Sequence, residues 1–128
     1  MELDDNHFKY RVDRGLAYSK LQKHQEAIED FTEIIDRIFI KYTSNKYTDY
    51  MQIDNITLSF MRGFDGAELQ EAFVARGTNY YELGIYDKAI KDHTRAIEVA
   101  DKKIGAYYER GYLYEKLNDY EKAIEDYT

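Results

Sequence analysis

Residues 76–94 read Arg76-Gly77-Thr78-Asn79-Tyr80-Tyr81-Glu82-Leu83-Gly84-Ile85-Tyr86-Asp87-Lys88-Ala89-Ile90-Lys91-Asp92-His93-Thr94, and the same order of side chains returns from Arg14-Gly15 and from Arg110-Gly111. Counting from each Gly, Tyr stands at +3 (Tyr18, Tyr80, Tyr114) and Leu at +6 (Leu21, Leu83, Leu117). Ala-Ile follows at +12 and +13 (Ala27-Ile28, Ala89-Ile90, Ala123-Ile124), Asp at +15 (Asp30, Asp92, Asp126) and Thr at +17 (Thr32, Thr94, Thr128). Slot +16 holds a ring each time: Phe31, His93 and Tyr127. With the Arg and the Gly, eight slots are identical in three copies, which is internal repetition.

The spacing within a copy is helical. Gly, Tyr and Leu at 0, +3 and +6, preceded at −4 by Phe73 or Tyr107, make one stripe. Ala, ring and the apolar residues at +19 or +20 (Ile34 and Ile35, Ala96 and Ile97) make another, and a short polar turn separates the two. Each copy therefore predicts helix, tight turn, helix. A glycine inside a helix costs about 1 kcal/mol relative to Ala, so its recurrence calls for compensation. The expectation is close approach: Gly at 0 and Ala at +12 let the two helices pack almost backbone to backbone, with the Tyr and the ring beside them. Arg at −1 and Asp at +15 recur together, which predicts ion pairs Arg14–Asp30, Arg76–Asp92 and Arg110–Asp126 as register marks, each contributing about 0–1 kcal/mol if exposed.

These residues resemble the tetratricopeptide repeat family, whose period is about 34 residues. The second and third glycines are 34 apart, whereas the first and second are 62 apart, one period plus a 28-residue insert. The resemblance implies an all-α fold, an α-solenoid of helix-turn-helix repeats in one domain over 1–128. Repeat one spans about 8–42, the insert 43–65, repeat two 66–101, and repeat three, incomplete, 102–128. The family's frequent Pro at the repeat end is missing, its Trp-type slot holds Arg11, Phe73 and Tyr107, and Gln22 replaces the small turn residue. In copy one the apolar spacing carries the second helix on through Ile34, Ile35, Ile38 and Tyr42, with Thr43-Ser44-Asn45 as its stop. From Tyr47 to Met61 the pattern divides. Ile53, Ile56, Leu58 and Phe60 partly alternate, as in a strand pair turning at Asp54-Asn55, and equally fit further helix or irregular loop. Gly63 and Gly66 read as a linker around Asp65, an N-cap for a helix resuming at Ala67.

Composition narrows the function classes. Lys+Arg 18 against Asp+Glu 25 gives a net charge of −7, which repels phosphate backbones and anionic membrane surfaces. Neither a nucleic-acid nor a membrane partner is expected. With no Cys, thiolate metal sites and Cys nucleophiles are excluded, while 14 Tyr and 6 Phe are too many rings for a disordered tail. The acidic opening lacks the basic and apolar regions of a secretory signal, so a cytoplasmic location is the expectation. His7, His24 and His93 have no metal-ligand spacing. His93, in the ring slot, reads as a packed core imidazole. Acidic pairs such as Asp4-Asp5 and Glu29-Asp30 read as helix-start and solvated-face residues. No cofactor, no metal and no catalytic residue is expected.

What remains is the concave groove that the resemblance implies, lined near −6, −3, +1, +4 and +5 from each Gly. In copy one those positions are Lys9, Val12, Leu16, Ser19 and Lys20, in copy two Glu71, Val74, Thr78, Tyr81 and Glu82, and in copy three Gly105, Tyr108, Tyr112, Glu115 and Lys116. The expected contact residues are Val74, Thr78, Tyr81, Glu82, Tyr108, Tyr112 and Glu115. Tyr supplies broad contact at low entropy cost, so an aromatic, acidic groove suits a protein or peptide segment with apolar and basic residues. Relatives that grip an acidic chaperone tail use Lys, Asn and Arg; Val12, Leu16, Ala75, Gly105 and Glu109 stand here instead, so that activity is not implied. The resemblance thus points to a non-catalytic protein-interaction module. The competing expectation is an assembly role, in which the insert and the uncapped C-terminal repeat, left open because the chain is a fragment or because another chain covers it, self-associate.

Overall fold

The computed structural model of the chain describes residues 5–43, 54–100 and 104–128. Six helices occur among them: α1 (Asp5–Lys20), α2 (His24–Thr43), α3 (Asn55–Glu82), α4 (Tyr86–Val99), α5 (Ile104–Lys116) and α6 (Tyr120–Tyr127). Each packs on the next in chain order, and α1 also meets α3, as an α-solenoid of paired helices requires. None of the described helices is long and apolar enough to cross a membrane.

The turn inside each pair has one geometry. The residue at +7 takes a positive φ in every copy: Gln22 at 60°, Gly84 at 76° and Asn118 at 61°. The next N–H then reaches back to the +3 tyrosine carbonyl, Lys23 to Tyr18 at 2.8 Å, Ile85 to Tyr80 at 2.9 Å and Asp119 to Tyr114 at 2.9 Å. This Schellman arrangement satisfies carbonyls that the ending helix leaves open. It also corrects the expected stripe: the leucine at +6 belongs to the turn, and Leu21, Leu83 and Leu117 are 66%, 42% and 44% exposed. Only one copy has the residue suited to the left-handed conformation at no steric cost. Gln22→Gly should therefore raise the unfolding free energy by about 0.5–1 kcal/mol, and Gly84→Ala should lower it by a similar amount, in urea titrations.

Why glycine recurs at 0 is answered by the ring at +16 rather than by the alanine at +12. A Cβ on Gly15 would stand 2.8 Å from Phe31 Cζ, on Gly77 2.9 Å from His93 Cε1, and on Gly111 2.7 Å from Tyr127 Cε1. The Asp92 and Asp126 Cβ atoms follow at 3.1 and 3.2 Å. Ala27, Ala89 and Ala123 are buried nearby, but the glycine face is cut to receive a flat ring.

The recurring Arg, Asp and Thr form one device. Arg76 donates Nε and Nη2 to the two Asp92 carboxylate oxygens at 2.8 and 2.7 Å, and Nη1 to Thr32 of the preceding repeat at 3.1 Å. Arg110 repeats this with Asp126 at 2.8 and 2.7 Å and with Thr94 at 3.3 Å. Arg14 holds Asp30 at 2.8 and 2.5 Å, and Arg11 adds a bond to the same carboxylate at 3.2 Å. Asp30 is thus buried, not part of a solvated face. The Arg–Asp bond closes a repeat, and the Arg–Thr bond joins it to the one before. A second tie between copies one and two is Asn79, fully buried, whose Nδ2 donates to Ser19 Oγ at 2.8 Å and whose Oδ1 accepts from His24 Nδ1 at 2.8 Å.

The second half of the insert is helix. Asp54 caps α3 by accepting from Thr57 N at 2.8 Å, so the strand-pair alternative and the turn at Asp54-Asn55 are overturned. Residues 44–53, which hold the rest of that reading and Ser44-Asn45, lie outside the described residues. Two helical stripes interleave here. Leu58 and Met61 face the core, while Ile56, Phe60 and Phe64, each four apart, face outward at 72%, 56% and 76% exposure. Interleaved stripes imitate alternation. Asp65 is no N-cap; it is the kink of α3 (φ −130°, ψ 16°), and its carboxylate takes the Tyr42 hydroxyl and, at 3.0 Å, Lys41 Nζ. The Gly63–Gly66 stretch is a kink and not a linker: two helical stretches meet at Asp65 within α3, so the helix does resume after Asp65 as expected, without an intervening loop. The lengthened α2 and α3 bury Ile34, Ile35, Ile38 and Phe39 against Met61, Leu69 and Phe73, with the Phe39 and Phe73 rings edge to face at 6.2 Å. This is the main core.

Candidate functional site

α3 and α5, first helices of successive repeats, bring tyrosines together. The Tyr81 and Tyr112 rings lie 5.9 Å apart, with hydroxyls 3.4 Å apart, and Tyr86 packs on the other side of Tyr81 at 5.5 Å. Tyr108 packs on Tyr127 at 5.4 Å. Between them is a cavity of about 340 Å³ lined by Thr78, Tyr81, Glu82, Tyr108 and Tyr112, with His93, Glu109 and Leu113 below. Five of the seven groove residues expected from sequence therefore share one hollow. Val74 does not join it: it is half-buried and packs against the core. Glu115 is exposed beside the Tyr127 hydroxyl, whose pKa is pushed up to about 12 by burial first and then by that carboxylate. In copy one, Ser19 is taken up by Asn79, Val12 packs on the core, and Leu16 is 38% exposed.

Neither His93 nor Glu109 is among the seven expected contact residues, although Glu109 stands at a groove position of the tail-gripping relatives; no local signal marks His93, which joins the hollow only when α4 closes on α3. The imidazole is buried, as its ring slot predicts, and its Nε2 lies 3.6 Å from Glu109 Oε2. That is beyond hydrogen-bond distance, and both Nδ1 of His93 and Oε2 of Glu109 are shielded from solvent without a partner. Burial pushes the His93 pKa down to about 4 and moves the Glu109 carboxyl upward, so at neutral pH the imidazole is uncharged and the contact is no ion pair.

A histidine whose folded pKa lies below its unfolded value destabilises the fold as pH falls, because the unfolded chain takes the proton first. Asp92 and Glu109, both raised by burial, oppose this. They remain in His93→Phe, a ring that copy one accepts at the same slot. The stability of His93→Phe relative to wild type should accordingly grow by roughly 2–3 kcal/mol between pH 7 and pH 4, measured by urea unfolding at each pH. A constant difference would show that the imidazole has the same pKa in the folded and unfolded states.

A second hollow, about 480 Å³, lies along the Ile56, Phe60 and Phe64 ridge, where the two phenyl rings stack at 6.5 Å. It is apolar and lacks a titratable side chain. Among the described residues no group of three or more His, Asp or Glu is arranged to hold a metal ion.

The tetratricopeptide repeat family model matches residues 8–38 and 104–128. The second copy, between them, carries the same eight slots. No curated protein matches the chain by sequence. Among solved structures, the crystal structure of MamA aligns over 97% of this chain and 76% of that one, at 21% identity and a TM-score of 0.45.

Proposed function

We propose that this tetratricopeptide-repeat protein, a protein-interaction module by its family, binds an extended segment of a partner protein in the groove between repeats two and three. The reading rests on one observation: tyrosines from two successive repeats, Tyr81 on α3 and Tyr108 and Tyr112 on α5, line a single hollow with Thr78 and Glu82. Tyr108 and Tyr112 are 64% and 41% exposed, contact area that costs little entropy to fix. The acidic rim favours a segment in which apolar residues alternate with basic ones. Selection of a random peptide library against the chain tests this. Selected peptides should bind wild type and lose at least tenfold in affinity to Tyr81→Ala/Tyr108→Ala/Tyr112→Ala, with the helical signal retained. Undiminished binding to the triple variant would refute the groove.

Self-association is the second reading, supported by the bond from Arg to the Thr of the preceding repeat at both junctions. Arg14 of one copy against Thr128 of another would extend the series. Exposed Ile124, Tyr120 and Tyr127 on α6 supply apolar area for it. Sedimentation across a hundredfold concentration range decides: a constant monomer mass excludes this reading, and a mass that rises and is reversed by Thr128→Arg supports it.

A further inference from the structure

The floor of the tyrosine groove is built to take a positive charge. Glu109, whose side chain is 45% exposed, has one carboxylate oxygen shielded from solvent that accepts no hydrogen bond, and the Nε2 of His93, a side chain 4% exposed, stands 3.6 Å from it. A half-exposed carboxylate with an unused acceptor oxygen gains from a cation that brings donors to it. The walls above it are aromatic, and Glu82 adds a second carboxylate at the rim. Elsewhere in this chain tyrosine faces already carry cations: Arg110 lies 5.5 Å from the Tyr107 ring, Lys88 5.6 Å from Tyr80, and Lys116 5.1 Å from Tyr112 at the edge of this groove. A guanidinium has the shape for such a place, flat enough to stack on tyrosine and carrying several donors for separated carboxylates.

Resting on the groove reading above, we infer that the hollow between Tyr81, Tyr108 and Tyr112 is a subsite for one arginine side chain of the bound peptide, held by Glu109 at its floor and Glu82 at its rim. The arginine enters between the rings and donates to the exposed side of the Glu109 carboxylate, and its neighbours along the peptide rest on the exposed faces of Tyr108 and Tyr112.

The test uses an acetylated heptapeptide of alanine and leucine with one central arginine, and the same peptide with citrulline, the neutral isostere, in that place. Isothermal titration should give at least tenfold tighter binding of the arginine peptide to wild type. Glu109→Gln, which keeps the shape and removes the charge, should bring the two peptides to within about twofold, and Glu82→Gln should reduce the preference partway. The inference is overturned if citrulline binds wild type as tightly as arginine, if the preference survives in Glu109→Gln, or if neither peptide binds. Equal binding of both peptides that is lost in Tyr108→Ala would overturn the arginine subsite while leaving the groove reading intact. Library peptides that bind only away from the tyrosines would remove the groove itself. Thermal unfolding by circular dichroism shows that each variant is folded before titration.

Discussion

Replacing Arg76 by Leu should lower the unfolding free energy by about 3–5 kcal/mol, the cost of removing one partner of a buried ion pair. The Arg76 and Asp92 side chains are 8% and 6% exposed. The substitution deletes both bonds to Asp92, the bond to Thr32 that joins repeats one and two, and the stacking of the guanidinium on Phe73 and Tyr80 at 5.8 Å. Burial already drives the Asp92 carboxyl upward with Arg76 in place, and without it the charge of Lys88, the smallest of the influences that favour the ionised form, is what remains. Arg14→Leu is the control: that side chain is 39% exposed and Arg11 still holds Asp30, so the loss should be about 1 kcal/mol or less. The double variant Arg76→Met/Asp92→Leu should recover more than half of the deficit, because the penalty lies in stranding a charge. Equal losses at Arg14 and Arg76 in urea titrations would mean that the pairs are interchangeable surface bridges.

Gly66→Ala is the second large effect. A Cβ there would stand 2.6 Å from the Val99 carbonyl oxygen, a backbone atom at the end of α4 that cannot rotate away. Arg62 fixes the same corner by donating Nε and Nη2 to the Glu98 carbonyl at 3.0 and 2.8 Å. Overpacking of this kind costs about 1–3 kcal/mol, and the rigidity of the contact puts the expected loss near the upper end. Three residues earlier, Gly63 has nothing within 4 Å of an added Cβ. Gly63→Ala should accordingly stabilise by about 0.5–1 kcal/mol through helix propensity alone. Opposite signs in thermal unfolding are expected, and a like sign would show that the kinked α3 is held by something other than this contact.

The paired helices were legible because their reason is local and periodic. A glycine every time the ring returns, and an Arg every time the Asp returns, mark a lattice that folding has only to close. The leucine at +6 misled because spacing alone puts it on the Gly–Tyr stripe, whereas the left-handed residue that follows turns the chain outward there. The insert misled because apolar residues on two sides of one helix, Leu58 and Met61 within and Ile56, Phe60 and Phe64 without, read in order as alternation. Thr at +17 was visible as a repeat slot, but its partner sits in the next repeat, and a sequence does not show which repeat touches which.

For the site, Tyr81, Tyr108 and Tyr112 were legible from the register of the repeat. His93 and Glu109 were not. The imidazole looked like another core ring, and Glu109, though the repeat register puts it at a groove position, counted there only as the absence of a basic residue. Their meeting depends on the distance between α4 and α5, a tertiary quantity. The Asn79–Ser19–His24 knot escaped for the same reason, since its members lie 55 and 60 residues apart.

The central claim is that the first-helix side of the repeats is where a partner lies. Nitrogen-edited NMR of the chain, titrated with a peptide selected from the library, tests it most directly. The account predicts that shift changes gather at Thr78, Tyr81, Glu82, Tyr108, Glu109 and Tyr112 and leave exposed residues of the second helices, such as Lys91 and Glu125, in place. Changes confined to α4 and α6, or to the Ile56, Phe60 and Phe64 ridge, would contradict it.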